Sequence, residues 1–241
     1  MLKSSELTVK VYNLSIKTFH NLISDNTYLA SYKWYIETHF DGTYLTTTLM
    51  SDKTAVTEKS NLIKQLNESL PPNSIYGFDN DTLVSIIDEW FKKNGKTLST
   101  AESCTGGLLS KLLTDMPGAS SYFLGGFVTY SNELKMKSLR VGEDLLIQYG
   151  AVSKEVAKEM AVGCIKQTNS HYAISITGVA GPTGGTKEKP VGLVYMGIAD
   201  DQFNVLVDSK VFAGNRNDIR CQAVYYVLNV LRKKLSISLT I

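Results

Sequence analysis

The sequence predicts an α/β protein, in which helices cover a layered mixed β-sheet, preceded by a small α+β domain. Between residues 97 and 234, short apolar segments typical of strands alternate with segments of helical periodicity. A short polar turn at Asp200-Asp201 joins two of the later strands, so we expect at least one antiparallel pair in the sheet. Pro71-Pro72 ends the preceding helical pattern, because proline cannot continue a helix. We therefore divide the chain into domains of residues 1–74 and 75–241.

The smaller domain, residues 1–74, is predicted to have an αββα pattern. We expect helices at residues 14–24 and 54–69. Residues 31–50 are predicted to form a hairpin, because alternating side chains lie on both sides of Asp41-Gly42, which is a strong turn signal.

The larger domain, residues 75–241, supplies the alternation of strands and helices. Asp79 or Asp81 is predicted to cap its first helix, which has one apolar face and ends at Asn94-Gly95. Strands are then predicted at residues 97–101, 123–130, 172–177, 191–198 and 204–212. Further helices are predicted at residues 105–114, 132–138, 143–149, 153–168 and 217–234.

Composition and charge argue against several classes of protein. The chain has 241 residues, 43% hydrophobic content and a formal net charge of +2. This content is sufficient for a real core, and the near-neutral charge gives no support to a nucleic acid or acidic membrane held by bulk charge. The first residues contain no apolar signal-peptide core, and no stretch is long enough to span a membrane. We expect a cytoplasmic protein without nucleic-acid or membrane partners, and the sequence leaves a homo-oligomer open.

The cysteines and histidines predict neither a disulfide framework nor a metal site. Cys104, Cys164 and Cys221 lie far apart in the sequence and include no CxxC pair. The three histidines are scattered, and we interpret His171 as a strand-edge residue. The glycine patterns of P-loop and dinucleotide-binding proteins are also missing from the sequence. We predict no metal and no cofactor.

The most informative motif is AESCTGG, residues 101–107, which lies between a predicted strand and a predicted helix. Ser103 would then lie close to free helix N-terminal amides, which can stabilise an oxyanion or bind phosphate. Gly106 and Gly107 would let a ligand approach the backbone. The alternative is that Ser103 or Thr105 only caps the helix and the glycines only form the turn.

Three further segments accompany this motif and give it a context. They are FVTYSNELK at residues 127–135, GAVS at residues 150–153, and TGVAGPTGGT at residues 177–186, which leads to KPVG at residues 189–192. In this order, the four motifs resemble the C-terminal domain of the competence-damage-inducible protein CinA, from about residue 76 to about residue 231. Stand-alone members of that family are nicotinamide mononucleotide deamidases, so the resemblance implies a metal-independent amidohydrolase in pyridine nucleotide recycling.

The resemblance implies roles for three residues in a serine–lysine mechanism. Ser103 would be the nucleophile, and Lys135 matches the position of the catalytic lysine of the family. A lysine of ordinary pKa is protonated at neutral pH, so burial or a nearby cation must lower its pKa before it can act as a base. Tyr130 could relay a proton or orient the pair. Each role has an alternative. Lys135 could lie on a solvated helix face, and Tyr130 could be a half-buried strand residue. Cys104 is the rival of Ser103 as nucleophile.

The resemblance also implies a substrate-contacting loop after the strand at residues 172–177. Backbone amides of Gly178–Gly185 can face an anion, and Thr177 and Thr186 can add hydroxyl donors. The alternative is a connector whose glycines only make turns. The predicted substrate-binding residues are Glu102, Thr105, Gly106, Gly107, Thr177, Gly178, Gly184, Gly185, Arg216 and Arg220.

Arg216 and Arg220 begin the last predicted helix, and one of them is expected to bind the phosphate. Glu102 could orient Lys135 or a ribose hydroxyl, or pair with a structural cation. Two positions depart from the family pattern: Arg140 stands where glycine is usual, and Asn215 stands where aspartate is common. If that aspartate orients the arginine, binding is expected to be weaker here.

Residues 1–74 resemble a remnant of the KH-like middle domain that precedes the deamidase domain in full-length CinA. The large molybdopterin-like domain is missing from this sequence, and no GxxG loop is found in the first 75 residues, so RNA binding is not supported. Two rival functions remain beside the deamidase. One is a catalytically inactive nucleotide-binding or regulatory protein, and the other is a partner protein in competence or DNA repair.

Overall fold

A computed structural model describes residues 3–51 and 55–237 of the chain. The chain forms two compact units. One comprises the chain up to Ile86 together with the segment from Arg232 onward, and the other comprises Ile87–Leu231.

The first unit contains a four-stranded antiparallel sheet with three helices. Its elements in chain order are β1 (Lys3–Val11), α1 (Ile16–Ser24), α2 (Thr27–Ala30), β2 (Tyr35–His39), β3 (Gly42–Ser51), α3 (Ala55–Ser69) and β4 (Ile75–Phe78). The strand order is β2-β3-β1-β4, and β2 and β3 form a hairpin at the predicted Asp41-Gly42 turn. The sequence analysis missed β1 and β4, although alternate residues of β1 (Leu7, Val9 and Val11) are buried as a strand requires.

Strand β4 places the structural division of the chain later than the predicted boundary at residues 74 and 75. Its residues pair antiparallel with β1, from Val9↔Phe78 to Val11↔Ile75, so this part of the chain completes the first sheet. The division lies instead between Ile86 and Ile87.

A lysine is buried in this first unit. Lys10 on β1 is 5% exposed. Its Nζ lies 4.5 Å from the centre of the Tyr44 ring and donates to the main-chain oxygen of Asp81. The aromatic face and the carbonyl both stabilise an ammonium ion.

Helix α4 (Leu83–Asn94) starts at a different cap from the predicted one. Thr82 Oγ1 accepts from the amide of Ser85 at 3.0 Å, so Thr82 is the capping side chain. Asp81 instead accepts from the amide of Phe78, and Asp79 accepts from the amide of Thr8. The predicted end of the helix at Asn94-Gly95 is confirmed, and Gly95 has a positive φ of 59°.

The second unit is a five-stranded mixed sheet covered by helices, as the sequence predicts. Its strands are β5 (Leu98–Glu102), β6 (Phe123–Val128), β7 (Tyr172–Gly178), β8 (Leu193–Asp200) and β9 (Val205–Val211). The order is β6-β5-β7-β8-β9, with β5 parallel to both β6 and β7, while β8 and β9 pair antiparallel.

The helices of this unit are α5 (Leu108–Thr114), α6 (Asn132–Leu139), α7 (Glu143–Tyr149), α8 (Lys154–Thr168) and α9 (Arg216–Lys234), with a 3-10 turn at Ala119–Ser121. Helix α8 packs on the sheet through a largely buried second half. Because β5, β6 and β7 are parallel, their carboxyl ends lie along one edge, where open α/β sheets form their ligand sites. In the part of the chain that the structure describes, no helix has both the length and the apolar character needed to cross a membrane.

Candidate active site

Ser103 lies directly after β5, at the carboxyl edge of the parallel strands. Its amide donates to the carbonyl of Ile176 on β7 at 2.9 Å, and its own carbonyl accepts from the amide of Gly106 at 3.1 Å. These bonds hold the backbone of the residue on both sides, while the side chain is 9% exposed. Ser103 is therefore a fixed and nearly buried hydroxyl.

Lys135 on α6 is the direct partner of this hydroxyl. Lys135 Nζ lies 2.9 Å from Ser103 Oγ and 2.7 Å from the carbonyl oxygen of Thr129. The side chain is 1% exposed, so the predicted alternative of a solvated lysine is wrong. Helix α6 begins at the cap Ser131, whose Oγ accepts from the amide of Leu134 at 3.1 Å, and this start directs Lys135 toward β5.

The burial of Lys135 changes its acid–base behaviour. Desolvation lowers the pKa of Lys135 from 10.5 to about 8, and nearby Cys104 opposes this change. A neutral amine within hydrogen-bond distance of a serine hydroxyl can accept its proton. The pair Ser103–Lys135 therefore has the geometry and the proton affinity of a nucleophile with its general base.

Cys104, the rival nucleophile, is in the wrong environment for that role. The side chain is buried, and desolvation raises the pKa of the Cys104 thiol to about 12. The thiolate is the reactive form of cysteine, and it is scarcely populated at neutral pH when the pKa is so high.

The side chain of Glu102 binds the start of α5 instead of a predicted partner. The carboxylate accepts from the amides of Gly107, Leu109 and Ser110 at 3.0, 3.1 and 2.8 Å, and from Ser110 Oγ at 2.7 Å. The side chain is fully buried and its acceptor positions are occupied. It contacts neither Lys135 nor the cavity described below. The first amides of α5 are therefore not free for an oxyanion or a phosphate.

Tyr130 hydrogen-bonds to an arginine. Its side chain is 60% exposed, and its hydroxyl accepts from Arg216 Nη2 at 2.8 Å. Arg216 Nη1 donates in turn to the carbonyl of Gly181 at 2.8 Å. The contact orients Arg216, while the role of Tyr130 in relaying a proton or orienting the serine–lysine pair stays a prediction. The alternative of a half-buried strand residue is wrong, because Tyr130 is exposed and β6 ends at Val128.

Arg220 joins the last helix to the serine turn. Its Nε and Nη2 donate to the carbonyl oxygen of Thr105 at 3.3 and 2.6 Å. Both arginines border a cavity of about 460 Å³ lined by Ala180, Pro182, Val191, Gly214, Asn215, Arg216, Asn217 and Arg220. The structure therefore brings the two predicted phosphate ligands together beside the turn that carries Ser103.

The predicted glycines have different structural roles. Gly106 and Gly107 have positive φ values of 58° and 93°, so the turn after Ser103 needs their left-handed backbone. Gly178 and Gly185 are packing positions, because a Cβ would lie 2.7 Å from the Leu193 oxygen or 2.8 Å from the Val191 nitrogen. Gly184 is open, with one atom only at 4.0 Å from a Cβ.

The two threonines of the predicted site are internal to the fold. Thr177 Oγ1 donates to the carbonyl of Ala151 at 2.7 Å, which ties β7 to the GAVS segment. Thr105 is buried and presents its carbonyl to Arg220. Its hydroxyl has no hydrogen-bond partner within residues 3–51 and 55–237.

The two departures from the family pattern have local explanations. Arg140 ends α6 with a positive φ of 58°, a conformation that glycine adopts more easily. Asn215 Oδ1 accepts from the amides of Asn217 and Asp218 at 2.8 and 3.1 Å, so Asn215 caps α9. Within the described residues no side-chain hydrogen bond joins Asn215 to Arg216, and the weaker binding expected from this position stays a prediction.

Sequence reasoning missed Thr129 and several residues that line the cavity, among them Val191 and Asn217. The carbonyl of Thr129 is a backbone group, which no side-chain pattern reveals. Ala180 and Pro182 also line the cavity, and both lie within the predicted Gly178–Gly185 loop. His171 is a strand-edge residue as predicted, with Nδ1 at 2.8 Å from Thr97 Oγ1. No group of three or more histidine, cysteine, aspartate or glutamate side chains suited to a metal occurs in the described ranges.

Together, fold and site define an α/β domain that carries a buried serine–lysine pair at the carboxyl edge of parallel strands, beside a cavity bordered by two arginines. A model of the CinA C-terminal domain family matches residues 80–235. The chain belongs to this family.

Known relatives and solved structures agree with this assignment. The chain is 53% identical over 163 residues to a CinA-like protein of Endomicrobium trichonymphae, covering 68% of this chain and 38% of that protein. It is 51% identical over 172 residues to a CinA-like protein of Syntrophomonas wolfei, covering 71% of this chain and 41% of that protein. The chain thus spans about two fifths of these relatives.

Two solved structures of similar proteins each match about two thirds of the chain. The competence/damage inducible protein CihA from Agrobacterium tumefaciens is 40% identical with a TM-score of 0.62, over 64% of this chain and 94% of that one. The competence damage-inducible protein A (ComA) from Klebsiella pneumoniae is 32% identical with the same TM-score of 0.62, over 64% of this chain and 95% of that one.

Proposed function

We propose that this protein hydrolyses the carboxamide of nicotinamide mononucleotide to nicotinic acid mononucleotide and ammonia. The observation that carries the proposal is the 2.9 Å contact between Lys135 Nζ and Ser103 Oγ in a buried site. An amide is attacked readily only by an activated nucleophile, and a lysine with a pKa of about 8 supplies the activation. Membership of the CinA family is consistent with this activity.

The chemistry proceeds through a covalent acyl-enzyme. Ser103 Oγ attacks the carboxamide carbon while its proton passes to the neutral amine of Lys135. The tetrahedral intermediate collapses, the carbon–nitrogen bond breaks, and the Lys135 ammonium returns the proton to the leaving ammonia. Water then attacks the ester and gives a proton to Lys135, which restores it to the Ser103 oxygen as the carboxylic acid leaves. Every proton that is taken up is returned, so no cofactor or metal is needed.

We propose that the cavity bordered by the two arginines binds the phosphorylated ribose of the substrate. Arg216 and Arg220 both border it, and Arg220 also holds the carbonyl of Thr105, two residues beyond the nucleophile. A phosphate is well matched to a guanidinium, because parallel N–H groups can bond two of its oxygens. The cavity volume of about 460 Å³ lies in the usual range for small-molecule sites.

The test is release of ammonia from nicotinamide mononucleotide by the purified protein in the presence of a chelator. Ser103→Ala should reduce kcat by several orders of magnitude while leaving the circular dichroism spectrum unchanged, because binding energy cannot replace the nucleophile. Cys104→Ala is the matched control and should be mild.

Two results would contradict this proposal. No ammonia from the unmodified protein would favour the inactive nucleotide-binding alternative. Activity that disappears with chelator and returns with a divalent ion would reject the metal-free scheme.

A further inference from the structure

Glu102 is a buried carboxylate that acts within the chain itself. It directly precedes the nucleophile Ser103 and is 0% exposed. Oε2 accepts from the amides of Gly107 and Leu109, and Oε1 accepts from both the amide and the hydroxyl of Ser110. One side chain thus fixes the distance between the end of β5 and the start of α5, with Ser103 in the segment between.

The backbone of Glu102 is linked to Lys135 through Thr129. Its carbonyl oxygen accepts from the amide of Thr129 at 2.8 Å. The carbonyl of Thr129 accepts from Lys135 Nζ at 2.7 Å. Glu102 therefore holds the serine turn through its side chain and the segment bound to Lys135 through its main chain.

We propose that Glu102 is a positioning residue that sets the contact between Ser103 Oγ and Lys135 Nζ. The inference rests on the proposed function, because it gives that contact a catalytic purpose. Catalytic groups must be held within a fraction of an ångström of the reacting geometry, and a displaced nucleophile loses rate far more than it loses substrate binding.

Both carboxylate oxygens of Glu102 must act as acceptors in this arrangement. Each oxygen accepts two hydrogen bonds, and three of the four donors are backbone amides that cannot turn away. In Glu102→Gln, one oxygen becomes an NH2 group that faces at least one of these amides. Two donors then oppose each other in a buried place, and the turn must shift to separate them.

The experiment measures the reactivity of Ser103 directly. A fluorophosphonate probe forms a bond between Ser103 Oγ and phosphorus, fluoride leaves, and the serine proton passes to Lys135. The labelling rate and the final labelled fraction are followed by intact mass, and kcat and KM for nicotinamide mononucleotide are measured on the same proteins. Ser103→Ala confirms the site of labelling.

For Glu102→Gln we expect the labelling rate and kcat to fall at least about tenfold. The final labelled fraction and KM should stay within about twofold of the unmodified protein. A merely structural role would instead lower the labelled fraction, because part of the protein would be unfolded. Ser110→Ala removes one of the four donors and should slow labelling about threefold or more.

Asp88→Asn is the matched control. Asp88 is a buried carboxylate of the same unit, bonded to Lys92 Nζ at 2.7 Å and outside the serine turn. The Asp88→Asn protein should be labelled at a rate within about twofold of that of the unmodified protein. A folded Glu102→Gln protein that labels within about threefold of the unmodified rate would overturn the inference. If that variant does not fold, unchanged labelling of Ser110→Ala would overturn it.

This inference and the proposed function fail in different ways. If Ser103 is labelled but no ammonia is released from nicotinamide mononucleotide, the proposed substrate is wrong, and the labelling rates still decide the role of Glu102. If ammonia is released but the probe does not react, the kcat of Glu102→Gln decides the role of Glu102. If Ser103 neither reacts nor supports ammonia release, both proposals are contradicted.

Discussion

Lys10 and Lys135 are both almost completely buried, at 5% and 1% exposure, and lie in different units of the molecule. Lys10 contacts the ring of Tyr44 and the carbonyl of Asp81. Lys135 contacts one carbonyl, that of Thr129, and one hydroxyl, that of Ser103. The two lysines are thus equally removed from water but have different kinds of partner.

This difference separates a structural lysine from a candidate base. An aromatic face and a carbonyl stabilise an ammonium ion and have no proton to give. A serine hydroxyl has a proton to give, and its oxygen becomes a nucleophile when the proton leaves. Burial lowers the pKa of Lys135 to about 8, and the hydroxyl of Ser103 is the group whose proton the neutral amine can accept.

The largest difference in kcat between the two lysines should appear when each is replaced in turn by arginine. Lys135→Arg should lower kcat for nicotinamide mononucleotide at least about a thousandfold, because arginine keeps the charge but does not deprotonate at usable pH. Lys10→Arg should leave kcat within about twofold, since arginine also stacks on an aromatic ring. If Lys135→Arg keeps most of the activity, the lysine is an electrostatic contact and the comparison fails.

A smaller effect should distinguish the two cations that border the cavity. Arg216→Ala and Arg220→Ala are compared by the ratio of kcat/KM for nicotinamide mononucleotide to kcat/KM for its dephosphorylated riboside. The phosphate ligand should lose about tenfold or more in this ratio, because a charge-assisted contact is commonly worth about 1.5–3 kcal/mol. An unchanged ratio in both variants would move the phosphate site to the Gly178–Gly185 loop or to another group.

The stability of the protein should also distinguish the lysines. The pKa of Lys135 is 10.5 when the chain is unfolded and about 8 when it is folded, so between these values the unfolded state binds more protons. The free energy of unfolding therefore rises with pH across this window. Below pH 8 the folded protein bears the full cost of the buried charge, about 3 kcal/mol.

Lys135→Met should therefore raise the midpoint of thermal unfolding at pH 7 by a few degrees. The advantage should shrink as the pH approaches 10, where the lysine is neutral in the folded state. Lys10→Met should lower the midpoint at pH 7, because it removes favourable contacts of the ammonium ion. A Lys135→Met protein that is less stable than the parent at pH 7 would contradict the assigned cost.

A similarly small effect on turnover should come from removing Lys10 together with most of its unit. The matches to the solved CihA and ComA structures cover 94% and 95% of those chains but 64% of this chain, so about a third of this chain lies outside each match. A chain starting at residue 80 should keep kcat within about twofold, because Ser103, Lys135 and both arginines of the cavity lie after that residue. A folded but inactive shortened chain would mean that the first unit completes the active site.

The sequence predicted the second unit better than the first, for a physical reason. Helix periodicity and buried strands are local signals, and the strands and helices after residue 97 were predicted with only small errors at their ends. Strand β1 alternates correctly, but it pairs with residues 43–51, some 40 positions away. Such pairing cannot be read from a local window. The same applies to β4, which caused the difference in the domain boundary.

At the site, the residue types were predictable but several of their contacts were not. Family resemblance identified Ser103 and Lys135, but the pKa of Lys135 depends on how completely the rest of the fold buries it. Glu102 was assigned to ligand binding because a carboxylate beside a serine is typical of a site. Three of the four groups that donate to it are backbone amides, which every sequence contains. Tyr130 likewise contacts Arg216, far along the chain.

The central claim is that the neutral amine of Lys135 is available to accept the proton of Ser103. The most direct test is an NMR titration of the protein with carbon-13 at the lysine side chains, in which the Lys135 signal is identified by its loss in Lys135→Arg. Because desolvation lowers the pKa of Lys135, its Cε resonance should titrate with a midpoint near pH 8. A midpoint at pH 10 or above would contradict the account, because the amine would then be protonated wherever the protein works.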